Sequence, residues 1–442
     1  MRDSPGAPPF DVASFVREPA DPTEARLSLL SRGIVASEIL RIAIEIRGRQ
    51  LAGEDVADLS VGDFDPRQFR IPERLTAAIH AALERGETNY PPPDGLPQLR
   101  QAVVDLFARD LGVGYPLESV VITSGSRPAI YGTYLTVCDP GDRVLYPVPS
   151  WNNDHYVHHV GGIPVEVPCG PELGFLPTRQ ALRLHLPGTR LLVLCSPLNP
   201  AGTMFSREAL QGICEDVLEE NATRARRGER ALYVLYDQVY RTLSFGAAQH
   251  LTPPGLLPEM ARYTVFSDGI SKALAATGLR VGWAVGPADV IERMVPLLSQ
   301  AGTWAPRPHQ AAVAEMLADT AALEAFRRVF RDKAHARLQR LQDGLLRMKA
   351  AGLPVDCVEP QGTIYLAAKL DLRGRRTPEG RTLRTNEEIR SYLLDAARVG
   401  IVPLDAFGAN LPGWFRMSIG AVSEADVDAL TARLETALRV LG

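Results

Sequence analysis

From about Ser119 onward, short apolar runs alternate with longer segments in which apolar residues recur every three or four positions. Seven runs, SVVITSG, DRVLYPV, PVEVP, TRLLVLCSP, ALYVLYDQ, YTVFSDG and VGWAVG, have the length and composition of buried strands. Around them the helical period predicts helices over 72–85, 95–111, 127–137, 206–220 and 307–320. That alternation predicts an α/β fold, a parallel sheet covered by helices. Upstream, helical spacing runs from Ser31 to about Arg49, followed by a short strand and turn in ADLSVGDFDP. Downstream, a charged helical stretch from about Leu323 to Ala351 leads to a different pattern. There GTIYLAAKLDL, GIVPLDAF and WFRMSIG read as strands of a smaller α+β unit. Residues 1–25, rich in Pro, Asp and Ala, are expected to form a flexible arm. The Pro/Gly-rich segments YPPPDGLP, PLNPAG and LTPPGLLP read as single turns rather than linkers.

Composition removes several function classes. A net charge of −4 on 442 residues gives no basic footprint for nucleic acid or an anionic membrane. No apolar run approaches the roughly 20 residues of a membrane helix, and MRDSPGAPPFDVASF lacks the pattern of a signal peptide. Cysteines 138, 169, 195, 214 and 357 are scattered, without a CxxC pair, as expected of thiols in a reducing cytoplasm. His155, His158 and His159 lie close together, but no cysteine or carboxylate evidently completes a zinc set, so no metal is expected. Neither a Walker-type loop nor a strand-anchored GxGxxG is present.

Four lysines stand against 44 arginines, so each lysine can be weighed singly. Lys333 and Lys349 sit among arginines and acids on a predicted helix, and Lys369 at a strand end; a solvated face accounts for all three. Lys272 differs. In FSDGISKALAATGLRVGW it follows an apolar strand and precedes a run of small residues, with Arg280 eight positions on. A lysine that attacks a carbonyl must be deprotonated, and a partly desolvated loop beside another cation favours that. Asp237 ends the run ALYVLYD, so a strand delivers its carboxylate to the C-terminal edge of the sheet, where open α/β sheets bind ligands. An aspartate that merely caps the next helix gives the same local pattern. Tyr240 follows three residues later. SVVITSG runs into SRPAIYGTYL, a strand–turn–helix in which Gly125, Ser126 and Arg127 make a candidate phosphate cup.

Asp237 with Tyr240, the N-P-x-G turn at Asn199, the Ser271–Lys272 pair and Arg280 occur in an order that resembles the fold type I pyridoxal phosphate (PLP) enzymes. The resemblance is to the class I/II aminotransferase group that includes aspartate aminotransferase, over roughly residues 30–440. It implies a large PLP-binding domain over 76–322 on a mostly parallel seven-stranded sheet. A smaller α+β domain would be formed by 26–75 and 323–442. It further implies that Lys272 forms the Schiff base to PLP and acts as base and acid at the substrate Cα. Asp237 would pair with the pyridine nitrogen, and Tyr240 and Asn199 with the ring's phenolate oxygen. Trp151 would stack on the ring. Gly125, Ser126, Arg127 and Arg280 would hold the phosphate. The family often has a phosphate-binding serine three residues before the lysine; this chain has Gly269 there, which leaves Ser267 or Ser271 to compensate. Tyr90, in ETNYPPPDGLPQLR, matches the tyrosine that reaches the neighbouring subunit's phosphate, implying a homodimer with composite active sites.

On the substrate side, Arg416 in WFRMSIG matches the arginine that binds the α-carboxylate bidentately, although a structural salt bridge would also explain an arginine in a strand. Gly62 would close over the same carboxylate, with Trp151 and Asn199 beside it. Trp304 and Arg307, in QAGTWAPRPHQ, match a segment that in the family often reaches the partner subunit's active site, and Tyr365, in GTIY, is a further candidate for the side-chain pocket, a Trp suiting a bulky group and an Arg an acidic one. The implied function is transfer of an amino group between an α-amino acid and a 2-oxo acid, in amino-acid metabolism or biosynthesis. Elimination, replacement or cyclisation on an amino acid or S-adenosylmethionine would use the same residues, and the motifs do not separate these outcomes. A PLP-sensing regulator would need a DNA-binding domain for which the arm is too short.

Overall fold

A computed structural model describes residues 27–442; the predicted arm over 1–25 lies outside them. The chain divides into two units after Ala36. Of the first, the described part carries one short helix, Leu29–Gly33, whose N-cap Ser28 accepts from the Ser31 amide. Everything from Ser37 onward belongs to the second. The single helix expected over 31–49 is therefore two: helical backbone stops at Gly33 and restarts over Glu38–Leu51.

The second unit opens with a two-residue strand β1 (Ala57–Asp58). Seven strands follow: β2 (Val120–Thr123), β3 (Arg143–Val148), β4 (Ile163–Pro168), β5 (Thr189–Cys195), β6 (Tyr233–Asp237), β7 (Thr264–Gly269) and β8 (Gly282–Val285). They form one sheet in the order β2-β8-β7-β6-β5-β3-β4, in which β8 alone runs antiparallel to its neighbours. Successive residues face opposite sides, so each strand feeds two cores. In β6, Val234 and Tyr236 join the core under helices Glu73–Glu84, Pro97–Leu111, Arg207–Arg227 and Arg307–Ala318. Leu235, between them, joins the opposite core under Ser126–Val137 and Ala288–Gln300. The helix predicted over 206–220 runs on to Arg227, where Gly228 at φ 68° ends it in the left-handed conformation.

Helix Thr320–Ala350 leads to a second sheet of β9 (Val355–Cys357), β10 (Tyr365–Leu370), β12 (Val402–Pro403) and β13 (Trp414–Ser418), ordered β12-β13-β10-β9 and antiparallel throughout. The run GIVPLDAF thus yields only a short strand before a 3-10 turn over Leu404–Phe407. Between β10 and β12, β11 (Val399–Gly400) pairs with β1 in parallel. Helices Asn386–Ala396 and Glu424–Arg439 complete this part, each opened by a capping box, at Thr385 and Ser423. Two consequences position the site. Strands β5, β6 and β7 end at one edge of the large sheet, and β13 presents Arg416 opposite Ala367 and Val402 in the small one.

Candidate active site

At that shared edge lies a cleft of about 550 Å³, lined by Gly62, Ser126, Arg127, Trp151, Asn199, Asp237, Tyr240, Ser271, Lys272, Arg280, Tyr365 and Arg416, among others. All twelve of these named residues were singled out from the sequence, in segments scattered over 350 positions of chain.

Lys272 sits in a one-turn helix, Ile270–Ala273, directly after β7. Its Nζ donates to the Gly62 carbonyl and lies 5.6 Å from the Phe64 ring centroid and 5.8 Å from that of Tyr240. Burial lowers its pKa to about 8; Arg416, Arg127 and Arg280 add to the shift and Asp63 opposes it. Asp237, at the end of β6, receives one backbone donor, the Val239 amide at 3.2 Å, and burial pushes its carboxyl up to about 7. The Tyr240 and Tyr365 hydroxyls share a hydrogen bond of 2.5 Å.

Arg416 is 1% exposed. Its Nη1 donates to Asn199 Oδ1 at 3.1 Å and its Nη2 to the Ser60 carbonyl at 2.5 Å, while the guanidinium lies between the Tyr365 and Phe407 rings, 4.4 and 4.8 Å from their centroids. Nε has no hydrogen-bond partner, and no carboxylate among the described residues pairs with this charge. A structural salt bridge therefore does not explain Arg416. Opposite, the Arg127 guanidinium covers the Trp151 indole at 4.6 Å, again with no ion pair among the described residues. Gly62 is tightly placed: a Cβ there would collide with the Tyr365 hydroxyl.

At the turn after β2, Gly125 adopts φ 90°, and a Cβ would run into the Arg280 guanidinium. Arg280 donates to the Thr277 and Ser124 carbonyls, at 2.7 and 2.8 Å. The departure at Gly269 also has a physical reason. A Cβ at 269 would lie 2.7 Å from Gly282 Cα, and one at 282 would lie 2.5 Å from the Gly125 carbonyl carbon, so β7, β8 and the turn after β2 pack through three glycines. The Ser267 hydroxyl is engaged with the Ser126 carbonyl at 3.3 Å, whereas Ser271 lines the cleft.

Tyr90, Trp304 and Arg307 are absent from the lining. Tyr90 is 80% exposed and meets Trp304 edge-on at 5.3 Å, while Arg307 pairs with Glu87 at 2.5 Å. Sequence reasoning missed one apolar wall, Ile39, Leu40 and Ala43 on helix Glu38–Leu51. The signal was there: Leu40 and Ile44, 59% and 71% exposed, lie off the buried Ile42/Ile46 face of that helix. Also missed were Ser60 and Phe407, which hold Arg416. Among the described residues no group of three His, Cys, Asp or Glu side chains is placed to hold a metal, and no helix is long and apolar enough to cross a membrane.

A profile of the family described as aminotransferase class I and II matches residues 54–434. The chain belongs to this family. The aminotransferase is 31% identical over 429 residues to the aspartate aminotransferase of Rhizobium meliloti (strain 1021), covering 96% of this chain and 98% of that one. It is 33% identical over 402 residues to the aspartate/prephenate aminotransferase of Thermus thermophilus, covering 90% and 94%. Among solved structures, the Rhizobium meliloti aspartate aminotransferase superposes with a TM-score of 0.85 at 30% identity, covering 94% of this chain and 99% of that one. The Thermus thermophilus aspartate aminotransferase with maleate gives 0.83 at 28%, covering 93% and 99%. The fold is thus fold type I, and the enzyme is a PLP-dependent aminotransferase acting on amino and keto acids. The cleft fits that cofactor: one amine of lowered pKa, one half-buried carboxyl with a single backbone donor, and cations and a helix N-terminus gathered near Ser126 and Ser271.

Proposed function

We propose that this aminotransferase attaches its cofactor to Lys272 and works on dicarboxylic substrates, Arg416 binding the α-carboxylate and Arg127 the side-chain carboxylate. The observation that carries the reading is that Arg416, buried in the cleft, and Arg127, exposed on its wall over Trp151, form no ion pair with a carboxylate of the described chain. For Arg416, a buried charge without an ion pair is costly, and a bound carboxylate relieves that cost with charge-assisted bonds; exposed Arg127 offers a second carboxylate a charge-assisted bond. The names of the Rhizobium and Thermus relatives, and the dicarboxylate maleate bound by the latter, agree with it.

Bound there, PLP supplies an electron sink for the pair left when the Cα–H bond breaks. The chain's own groups do the rest. Lys272 Nζ takes the proton from Cα and returns it, which a pKa of about 8 suits near neutral pH. Asp237 offers its carboxylate to the ring nitrogen, and a cation there draws its pKa down from the value burial imposes. Tyr240 and Asn199 donate to the ring oxygen, Trp151 covers the ring, and Gly125, Ser126, Ser271 and Arg280 receive the phosphate, with Arg127 at its margin. Gly62, whose carbonyl accepts from Lys272, closes the carboxylate pocket.

The same reading makes the enzyme a cytoplasmic homodimer, exposed Tyr90 completing the partner's phosphate site. The cofactor-binding part would span 76–322 and the smaller part 26–75 with 323–442. One hydrophobic cluster around β10 and β13 recruits Leu59, Phe64 and Phe69, in keeping with that division, and also takes in Tyr240, Leu243 and Phe245 from the turn after β6; another lies around the large sheet.

The test offers the holoenzyme aspartate, glutamate and neutral or aromatic amino acids, and follows conversion of the cofactor to its amine form and its return with 2-oxo acids. The dicarboxylic amino acids should react fastest. Arg127→Gln should lower kcat/KM for them by roughly 10- to 100-fold, the worth of one hydrogen bond to a charged group. Neutral amino acids should change little. Equal losses for both classes, or ammonia release without the amine form, would overturn the reading.

A further inference from the structure

Behind the cleft lies a chain of charges that the reaction as described leaves unused. Asp268 on β7 is 1% exposed, and its Oδ2 accepts from Arg241 Nε at 2.7 Å and from Gln238 Nε2 at 3.4 Å. Its Oδ1 accepts from the Gly269 amide at 2.7 Å. Arg241, 9% exposed, donates in turn to Asp110 Oδ2 at 3.1 Å, and Asp110 pairs with Arg327, 8% exposed, at 2.9 Å. These four side chains come from β7, from the turn after β6, from helix Pro97–Leu111 and from helix Thr320–Ala350.

Their placement in sequence gives them meaning. In the segment Asp237-Gln238-Val239-Tyr240-Arg241, Asp237 and Tyr240 line the cleft while Gln238 and Arg241 point into this chain behind it. In Asp268-Gly269-Ile270-Ser271-Lys272, Ser271 and Lys272 line the cleft while Asp268 points behind. The backbone ladder between β6 and β7 ends at the pair Asp237–Ser267, with the Gln238 amide on the Ser267 carbonyl at 3.0 Å as its last bond. Beyond that point, among the described residues, the hydrogen bonds joining 238–241 to 268–272 both end on the Asp268 carboxylate. A buried ion pair adds little net stability over apolar side chains of similar size, but its directional bonds fix geometry.

We infer that Asp268 and Arg241 are positioning residues, a clamp that sets Lys272 against Asp237 and Tyr240 for transamination. This rests on the proposed roles of Lys272 and Asp237. Asp110 and Arg327 anchor the clamp to two helices. Displacement of a reacting group by about 1 Å costs on the order of 100-fold in rate, so a hinge this close to the lysine acts on the chemical step. Arg416 and Arg127, which take the substrate, touch no member of the clamp.

The test uses holoenzyme carrying Arg241→Met together with Asp268→Leu, which removes both charges without leaving one unpaired. Thermal midpoint, the cofactor dissociation constant, and kcat and KM for the amino-acid half-reaction are measured. The double variant should keep a thermal midpoint near that of the parent and a KM within about twofold, while kcat falls roughly 10- to 100-fold. Its cofactor dissociation constant should rise by about tenfold. Arg241→Lys, which keeps charge but loses the planar fork, should show the same split with a smaller loss. A folded double variant, or a folded Arg241→Lys, with kcat and cofactor affinity like the parent would overturn the clamp. Borohydride reduction of the parent separates the two claims. Label on a lysine other than Lys272 sinks the underlying reading and the clamp with it. Label on Lys272 with parent-like variants sinks the clamp alone.

Discussion

On the large-sheet side of the cleft, Asn199, Asp237 and Lys272 lie at or just past the ends of three adjacent parallel strands, β5, β6 and β7. On the other side, Arg416 emerges from the middle of an antiparallel strand and is held by Asn199 and Ser60, 217 and 356 positions away in sequence. The first wall is assembled by topology: any open parallel sheet gathers its strand ends at one edge. The second is assembled by long-range contacts, and a buried guanidinium without a direct ion pair is held there by the surrounding rings and carbonyls, with the Asp58 carboxylate acting on it at longer range. On the proposed roles, the cofactor wall follows from sheet topology, whereas the substrate wall depends on contacts between distant segments.

Removing Arg416 tests the separation most severely. Arg416→Leu should lower kcat/KM by about 100- to 1000-fold, equivalent to roughly 3–4 kcal/mol for a lost buried charge pair. Cofactor affinity, measured by equilibrium dialysis, should stay near that of the parent. A matching loss of cofactor would mean the walls are not independent. The pH response of the other wall is smaller. Because burial, helped by Arg416, Arg127 and Arg280, lowers the Lys272 pKa to about 8, the neutral amine grows about tenfold per pH unit below that value and saturates above it. Stopped-flow recombination of apoprotein with PLP should accelerate up to about pH 8 and then level off. A rise continuing toward pH 10 would mark an ordinary exposed lysine. The smallest effect separates two serines. Ser271→Ala should weaken cofactor binding by a few-fold, about 1 kcal/mol, whereas Ser267→Ala, whose hydroxyl faces the Ser126 carbonyl, should change it less.

The same contrast explains what the sequence alone conveys. Strand ends are legible because an apolar run that stops at a charged residue states both the strand and its outlet, as ALYVLYD does for Asp237. Lys272 stood out because only three other lysines compete with it. Arg416 was legible as an oddity, a charge inside an apolar strand, but its partners Ser60 and Phe407 were not, since nothing local points across such separations. The interruption over 34–37 escaped because helical spacing continues through residues that carry no helical backbone. Asp268 and Arg241 escaped for a related reason: charged residues near strand ends read as solvated, and only the fold shows them facing each other in the interior. Trp304 and Arg307, expected from the resemblance to reach a partner subunit's site, pack within the single chain with Tyr90 and Glu87.

The central claim is that Lys272, and no other lysine, carries the cofactor. Borohydride reduction of the holoenzyme followed by peptide mass mapping tests it directly, because Lys333, Lys349 and Lys369 are the sole competitors. The predicted result is a single reduced pyridoxyl adduct on the peptide containing Ser271–Lys272, absent from Lys272→Ala. An adduct on any of the other three lysines, or one that survives in Lys272→Ala, would contradict the account.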